Sequence, residues 1–187
     1  VSGTDNNYNL TLVNGSLVIG KANATVTANS ANVTYTGLAQ SISGYTATGL
    51  LNGQTTAVLS GVTVSGATGT NVATYTNTVT GTDSNYNLTL VNGSLVIGKA
   101  GLVVTADNKT RIYGDANPAL TYTVTGYVNG EGASTHSGSA TLATTAGLTS
   151  NVGNVAITAL ANNLAANNYN FSYANGALAI TQAALSV

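Results

Sequence analysis

One histidine, five carboxylates and no cysteine are all that this chain of 187 residues offers for acid–base, nucleophilic or metal chemistry. Proton transfer and covalent catalysis need a base within reach of a nucleophile and a group that orients the base. His136 has neither a nucleophile nor an orienting carboxylate beside it in sequence, and no second histidine completes a metal-binding spacing. Alignment of the two halves of the chain places it where the first half has Leu59, which predicts a half-buried packing role. The absence of cysteine excludes a disulfide framework, thiolate metal sites and a cysteine nucleophile. No phosphate-binding loop, dinucleotide fingerprint or Gly-x-Ser-x-Gly elbow occurs. The reading is a non-enzyme with no catalytic residue and no cofactor.

Two weaker kinds of site remain. Calcium in surface repeats needs several oxygen ligands close together, and Asp107, Asp115 and Asn117 are the nearest approach to such a cluster. The competing reading has Asp107 ending a strand and Asp115 opening the turn Asp-Ala-Asn-Pro before Pro118. Lys109 and Arg111, between the two acids, are then expected in surface ion pairs worth under about 1 kcal/mol. Tyr127 stands where the first half has Leu50 and is a candidate for stacking on a sugar. The recurrence of Tyr35 as Tyr113 and of Tyr45 as Tyr122 instead favours core or cross-strand roles for the tyrosines.

Composition bounds the elements that must carry these residues. Hydrophobic residues make up 43% but charged residues only 5%, against about 25% charged in ordinary soluble proteins. The polar surface is therefore built from Thr, Asn and Ser. β-branched and aromatic residues with many Gly and Asn favour strands and tight turns, and no helix-length run with a 3.6-residue period is present. Four cations, Lys21, Lys99, Lys109 and Arg111, against a net charge of −1 cannot form the basic patch that nucleic acid requires. No apolar run approaches the ~18 residues of a membrane span, so no membrane insertion is expected of this segment. The chain contains no Met and opens inside a repeat, so it is expected to be a segment of a longer protein.

The repeat is the strongest signal. Gly3–Ala22 and Gly81–Ala100 differ only in that Asn6 becomes Ser84, and Tyr169–Ala183 is a weaker third copy. Such self-similarity marks an array of small modules. The phase predicts the tail strands of a preceding repeat over residues 1–21, whole modules over 22–99 and 100–182, and the start of another over 183–187. Each copy contains Asn-Gly, the dipeptide preferred in type I′ hairpin turns. A hairpin around Asn92-Gly93 would set Leu90 opposite Leu95 and Leu88 opposite Ile97. Its counterparts would pair Leu12 with Leu17 and Leu10 with Ile19 in the first copy, and Tyr173 with Leu178 and Phe171 with Ile180 in the third.

Further strands are expected at Ala24–Ala28, Val33–Thr36, Gly44–Thr48, Gly61–Ser65 and Val72–Val79. Their counterparts are Leu102–Ala106, Arg111–Gly114, Leu120–Thr125, Ser139–Ala143 and Val152–Leu160, with a short helical turn after Asn129-Gly130. The fold class is all-β, in tandem small modules of sandwich or β-grasp-like type. Modules this small are marginal alone and gain from nearest-neighbour contacts. The junctions Gly20-Lys21-Ala22 and Gly98-Lys99-Ala100 are too short for a flexible linker, so the modules are expected to stand end to end as an elongated rod.

The stretch LVVTADNKTRIYGDANPALTYTVTGYVNGEG (Leu102–Gly132), followed by SGSATLATTAG, SNVGNVAIT and NYNFSYANGALAIT, resembles the MBG-type repeat of bacterial surface adhesins. The first module, with VTYTGLAQSISG and NVATYTNTV, is similar to a diverged sister of the same MBG/YDG group. The resemblance covers essentially the whole chain. It implies a repeat of a filamentous-haemagglutinin-like or autotransporter exoprotein on the surface of a Gram-negative bacterium, with no catalytic residue to carry over. The function it implies is a rigid stalk or spacer in cell adhesion or biofilm formation, whose partners are the adjacent repeats of the same chain. The alternative is a module that itself binds host-cell or matrix glycan or protein, gaining strength from multivalency.

Overall fold

The computed structural model describes residues 1–186. The segment 183–187, expected to open a further repeat, therefore includes Val187, which lies outside the described residues. The fold is all-β, as expected. The first module contains β1 (Ala22–Ala28), β2 (Ala31–Thr34), β3 (Gln40–Ile42), β4 (Tyr45–Thr48), β5 (Val62–Val64), β6 (Ala67–Gly69), β7 (Ala73–Asn77), β8 (Val79–Gly81), β9 (Tyr86–Val91) and β10 (Gly93–Gly98). The second contains β11 (Ala100–Ala106), β12 (Lys109–Ile112), β13 (Tyr122–Thr125), β14 (Thr141–Thr144), β15 (Gly153–Leu160), β16 (Tyr169–Ala174) and β17 (Gly176–Thr181). Single 3-10 turns at Thr56–Val58 and Ala133–Thr135 include the short helical turn expected after Asn129-Gly130.

Each module is organised around two strands that bend from one sheet into another. β1 continues into β2 through Asn29-Ser30, and β9 continues into β10 through Asn92. The two bent ribbons run side by side, β1 parallel to β9 from Ala22↔Tyr86 to Thr27↔Val91, and β2 parallel to β10 from Ala31↔Leu95 to Thr34↔Gly98. The resulting sheets have the orders β4-β1-β9 and β2-β10-β7. The second module repeats the plan as β13-β11-β16 and β12-β17-β15-β14. Two-residue alternation does the sorting: along β1, Ala24, Val26 and Ala28 are buried while Asn23 and Thr27 are exposed.

The repeated hairpin is not formed. β9 and β10 leave Asn92 for different sheets, so Leu90 lies beside Val26 and Leu95 beside Ala31 and Tyr75. Leu88 and Ile97 are separated in the same way, as are Phe171 from Ile180 and Tyr173 from Leu178, because β16 and β17 also pair elsewhere. The physical reason is a close backbone crossing rather than a turn. Gly93 is not in the left-handed region; a Cβ there would stand 2.2 Å from the Asn29 carbonyl oxygen and 2.4 Å from that of Ala28. Asn92 holds the crossing by accepting a hydrogen bond from the Val79 N–H at 3.0 Å. In the second module Gly176 sits equally tight on the Ala106 carbonyl, and Asn175 accepts from the Ala159 N–H at 3.2 Å.

Residues 1–21 contain no strand, and Leu17, Val18 and Ile19 are exposed. The hairpins Leu12/Leu17 and Leu10/Ile19 are accordingly absent. A copy of β9 and β10 needs β1, β2 and β7 as partners. It cannot fold back onto the first module, because one residue, Lys21, separates Gly20 from β1, whereas the end of the β10 position lies beside Thr34 at the far end of the ribbon. Only the local turn survives: Asp5 accepts from the N–H groups of Asn7 and Tyr8, as Asp83 does from Asn85 and Tyr86.

Three apolar cores result. Val26, Leu59, Val62 and Val79 fill the first sheet of module one, and Ile157, Leu178 and Ile180 fill the second sheet of module two. The middle core belongs to both modules: Tyr35, Leu95 and Ile97 from the first pack with Leu102 and Tyr169 from the second.

Candidate functional site

The middle core is closed by a polar clasp, and its geometry makes the junction the candidate site. The chain passes from β10 to β11 with only Lys99 between them, so the second sheet of module one is carried straight onto the first sheet of module two. Tyr35, the residue after β2, and Tyr169, the first residue of β16, meet edge to face with ring centres 5.4 Å apart at 82°. Both are almost fully buried, yet each hydroxyl reaches Glu131: Tyr35 donates to Oε1 at 2.5 Å and Tyr169 donates to Oε2. The Tyr169 hydroxyl also accepts from the Val128 N–H at 3.1 Å. One carboxylate thus joins a tyrosine from each module.

Glu131 is aimed by a tight turn. Asn129 and Gly130 have φ of 50° and 71°, and the Glu131 N–H closes onto the Val128 carbonyl at 3.0 Å. Positive φ at both central residues is the requirement of a type I′ turn, so the Asn-Gly signal marks that turn here. Asn52-Gly53 repeats it in module one, with the Gln54 N–H on the Leu51 carbonyl.

Three amides surround the clasp. Asn168 accepts from the Val72 N–H and donates to Asn71 Oδ1, both at 3.0 Å. Asn129 donates to the Gly37 carbonyl at 3.2 Å, and Lys99 Nζ donates to the Ala166 carbonyl at 2.9 Å.

The charges respond to this arrangement. Hydrogen bonds from Tyr169 and then Tyr35 hold the Glu131 carboxyl below the ordinary glutamate range. The same bond, with burial and the nearby negative charge, raises the Tyr35 hydroxyl; burial first and Glu131 second raise that of Tyr169. A carboxylate flanked by two protonated phenols is a fixed acceptor that orients and fastens, and no nucleophile stands beside it.

Tyr127 and His136, weighed as a sugar contact and a packing residue, both pack beside this junction. Their rings stack with centres 6.0 Å apart at 10°, Tyr127 also meets Tyr169 edge-on, and His136 meets Phe171 edge-on at 5.8 Å. Burial raises the Tyr127 hydroxyl. His136 is half-buried and closes the 3-10 turn Ala133–Thr135, as Leu59 closes Thr56–Val58, so the expected equivalence holds. Neither of its ring nitrogens has a hydrogen-bond partner in the protein.

Asp107, Asp115 and Asn117 each have other work. Asp107 accepts from the Thr121 hydroxyl, Asp115 lies in the exposed turn after β12, and Asn117 accepts from Arg111 Nε at 2.8 Å while donating to the Ala146 carbonyl. Among the described residues no three His, Cys, Asp or Glu side chains gather around one point. Arg111 itself departs from expectation. It is not in a surface ion pair but buried, 5% exposed, and bonds to Asn117 and to the carbonyls of Ile112 and Gly147. It lies on the inward side of β12 facing β15 and β17, where alternation leaves no route to solvent.

Glu131, Asn168, Asn71 and Lys99 were not legible as a site. The available signals were the recurrence of Asn-Gly followed by Gln54 or Glu131, of Asn85-Tyr86 as Asn168-Tyr169, and of lysine in both junctions.

The pattern of the MBG domain, YGX type, matches two tandem segments of the chain, residues 24–96 and 102–179. No curated protein and no solved structure matches it. An MBG repeat is a structural all-β module rather than a known enzyme family, and such domains occur in extracellular surface proteins. With the two matched segments spanning well over half of its length, the chain belongs to the MBG domain family, YGX type.

Proposed function

We propose that the two modules are segments of a stiff extracellular stalk that carries an adhesive tip away from a bacterial surface. The observation that carries this reading is the middle core: its apolar residues come from both modules, and the Glu131 clasp closes over them. A hinge would need a loose connection with few buried contacts. Here one residue links the strands and several side-chain hydrogen bonds cross between modules. A module of this size is marginal by itself, so a shared core stabilises both neighbours while fixing the angle between them.

The test uses the cysteine-free background. Spin labels at Thr46→Cys and Thr149→Cys, exposed positions in different modules, report the inter-module distance in solution. A stalk gives one narrow distance distribution, which broadens in Glu131→Ala. A broad distribution in the parent chain would refute the rigid reading. A saturable glycan or matrix-protein hit in a binding screen, lost on changing an exposed loop, would favour the adhesive module instead.

A further inference from the structure

The two ends of the molecule carry the two halves of the interface that is buried in its middle. At the leading end, Tyr86 donates to Gln54 Oε1 at 2.5 Å and accepts from the Leu51 N–H at 3.1 Å, as Tyr169 does with Glu131 and Val128. Lys21 Nζ donates to the Asp83 carbonyl as Lys99 does to Ala166, and the Ala22 N–H meets the Asn85 carbonyl at 3.0 Å as Ala100 meets Asn168. The face therefore has its docked local geometry although no module covers it. Leu51, Asn52, Gln54 and Asn85 line an open groove there.

At the trailing end, the Tyr113 N–H bonds the Thr181 carbonyl at 2.8 Å, as Tyr35 bonds Gly98. Tyr113 is nevertheless 43% exposed where Tyr35 is 5% exposed. Asn151 and Val152 correspond to Asn71 and Val72, and with Tyr113 and Gln182 they line a second open groove. Gly114 keeps a positive φ of 90° with open space above it, where Gly37 at 75° lies beneath Asn129.

We propose that the trailing face around Tyr113 is a docking surface for the leading face of a second copy of this chain. In that contact Tyr113 and Tyr86 meet edge to face over Gln54, and Val152 and Asn151 meet Asn85. The amide suits the position: its oxygen accepts from Tyr86 and its nitrogen donates to the Tyr113 hydroxyl. Ala183–Leu185, exposed and in no strand, yield their place to Ala22–Ala24 of the incoming copy. The two faces differ, so the contact is heterologous and propagates into a filament rather than closing as a dimer. The idea rests on the junction geometry that also supports the stalk reading, but the two are separable: the inter-label distance within one chain reports the junction, whereas particle mass reports the contact between copies.

Sedimentation velocity of the full chain, with NMR of the Tyr113 ring and the Val152 amide, is followed up to ~1 mM, the effective concentration that a short linker supplies. Association is expected to rise with concentration and to weaken at least ~10-fold in Tyr113→Ala or Gln54→Ala, which remove an aromatic contact and a hydrogen bond. Each variant keeps one intact face, so an equimolar mixture of the two is expected to form heterodimers and stop there. Unchanged mass and NMR signals at ~1 mM, or association insensitive to both substitutions, would overturn the proposal. So would a mixture that gains nothing over its components.

Discussion

Gly93 lies on Ala28 so closely that no side chain fits between the bent ribbons they belong to: the missing Cβ would be 2.4 Å from the Ala28 carbonyl oxygen. Both ribbons change sheets at that crossing. Any Cβ forces the backbones apart and breaks the register of β1 with β9 and of β2 with β10 together. Gly93→Val is therefore expected to destabilise its module by at least ~3 kcal/mol, at the upper end of overpacking costs. Gly101→Ala, in an exposed strand position where nothing lies within 4 Å, is expected to change stability by less than ~1 kcal/mol, on the favourable side. Equal urea midpoints for the two variants would refute the crossing.

That crossing also shows where sequence reasoning reached its limit. The strands, the modules and the 3-10 turn after Asn129-Gly130 follow from alternation and from internal repetition. The partner of each strand does not. Asn-Gly serves two physical purposes in this chain, a left-handed turn at Asn52-Gly53 and Asn129-Gly130 and a side-chain-free crossing at Asn92-Gly93 and Asn175-Gly176, and the dipeptide alone does not separate them. The clasp was hidden for another reason. Tyr35, Glu131 and Tyr169 are drawn from distant points of the chain, and only the parallel pairing of β11 with β16 brings Tyr169 to the junction.

The clasp predicts a stability profile with two shoulders. Glu131 titrates lower in the fold than in the unfolded chain, so its contribution is complete above the unfolded glutamate range near ~4.3 and is lost as pH falls through the lower folded value. Tyr35 and Tyr169 titrate higher in the fold. Their contribution is complete below the unfolded tyrosine range near ~10 and is lost as pH rises beyond it. Thermal melts across pH are expected to show a plateau with both limbs. Glu131→Gln flattens the acid limb and Tyr35→Phe the alkaline one. An acid limb unchanged in Glu131→Gln would show that the carboxylate does not act as the clasp.

His136 occupies a position built for an apolar side chain. Leu59, its counterpart, is 1% exposed, whereas both nitrogens of His136 are enclosed without a partner. Burying polar atoms unpaired costs roughly 1–3 kcal/mol, offset here by stacking on Tyr127 and Phe171. His136→Leu is expected to stabilise the second module by ~1 kcal/mol or more, seen as a rise in melting temperature. His136→Asn, which keeps polar atoms and loses the rings, is expected to lower it. If leucine destabilised the protein and asparagine did not, the histidine would be holding a polar partner rather than filling a gap.

Arg111 and Lys109 share β12, and alternation sends them to opposite fates. Arg111 is on the buried side and reaches the carbonyls of Ile112 and Gly147 and the amide of Asn117; Lys109 is half-exposed at the strand's start. Removing the guanidinium leaves two backbone carbonyls and an oriented amide without their donors, each in a partly buried site. Arg111→Ala is expected to cost ~2–4 kcal/mol by that route. Lys109→Ala is expected to stay within ~0.5 kcal/mol, as surface changes do. Arg111→Val adds a sharper comparison, since Val33 is the residue at this place in the first module. Valine refills the volume but restores no donor, so the part of the alanine loss that it recovers is packing and the part that persists is hydrogen bonding. Full recovery in Arg111→Val would mean that the buried charge contributes nothing to the second module's stability, and that its three neutral acceptors are satisfied without it.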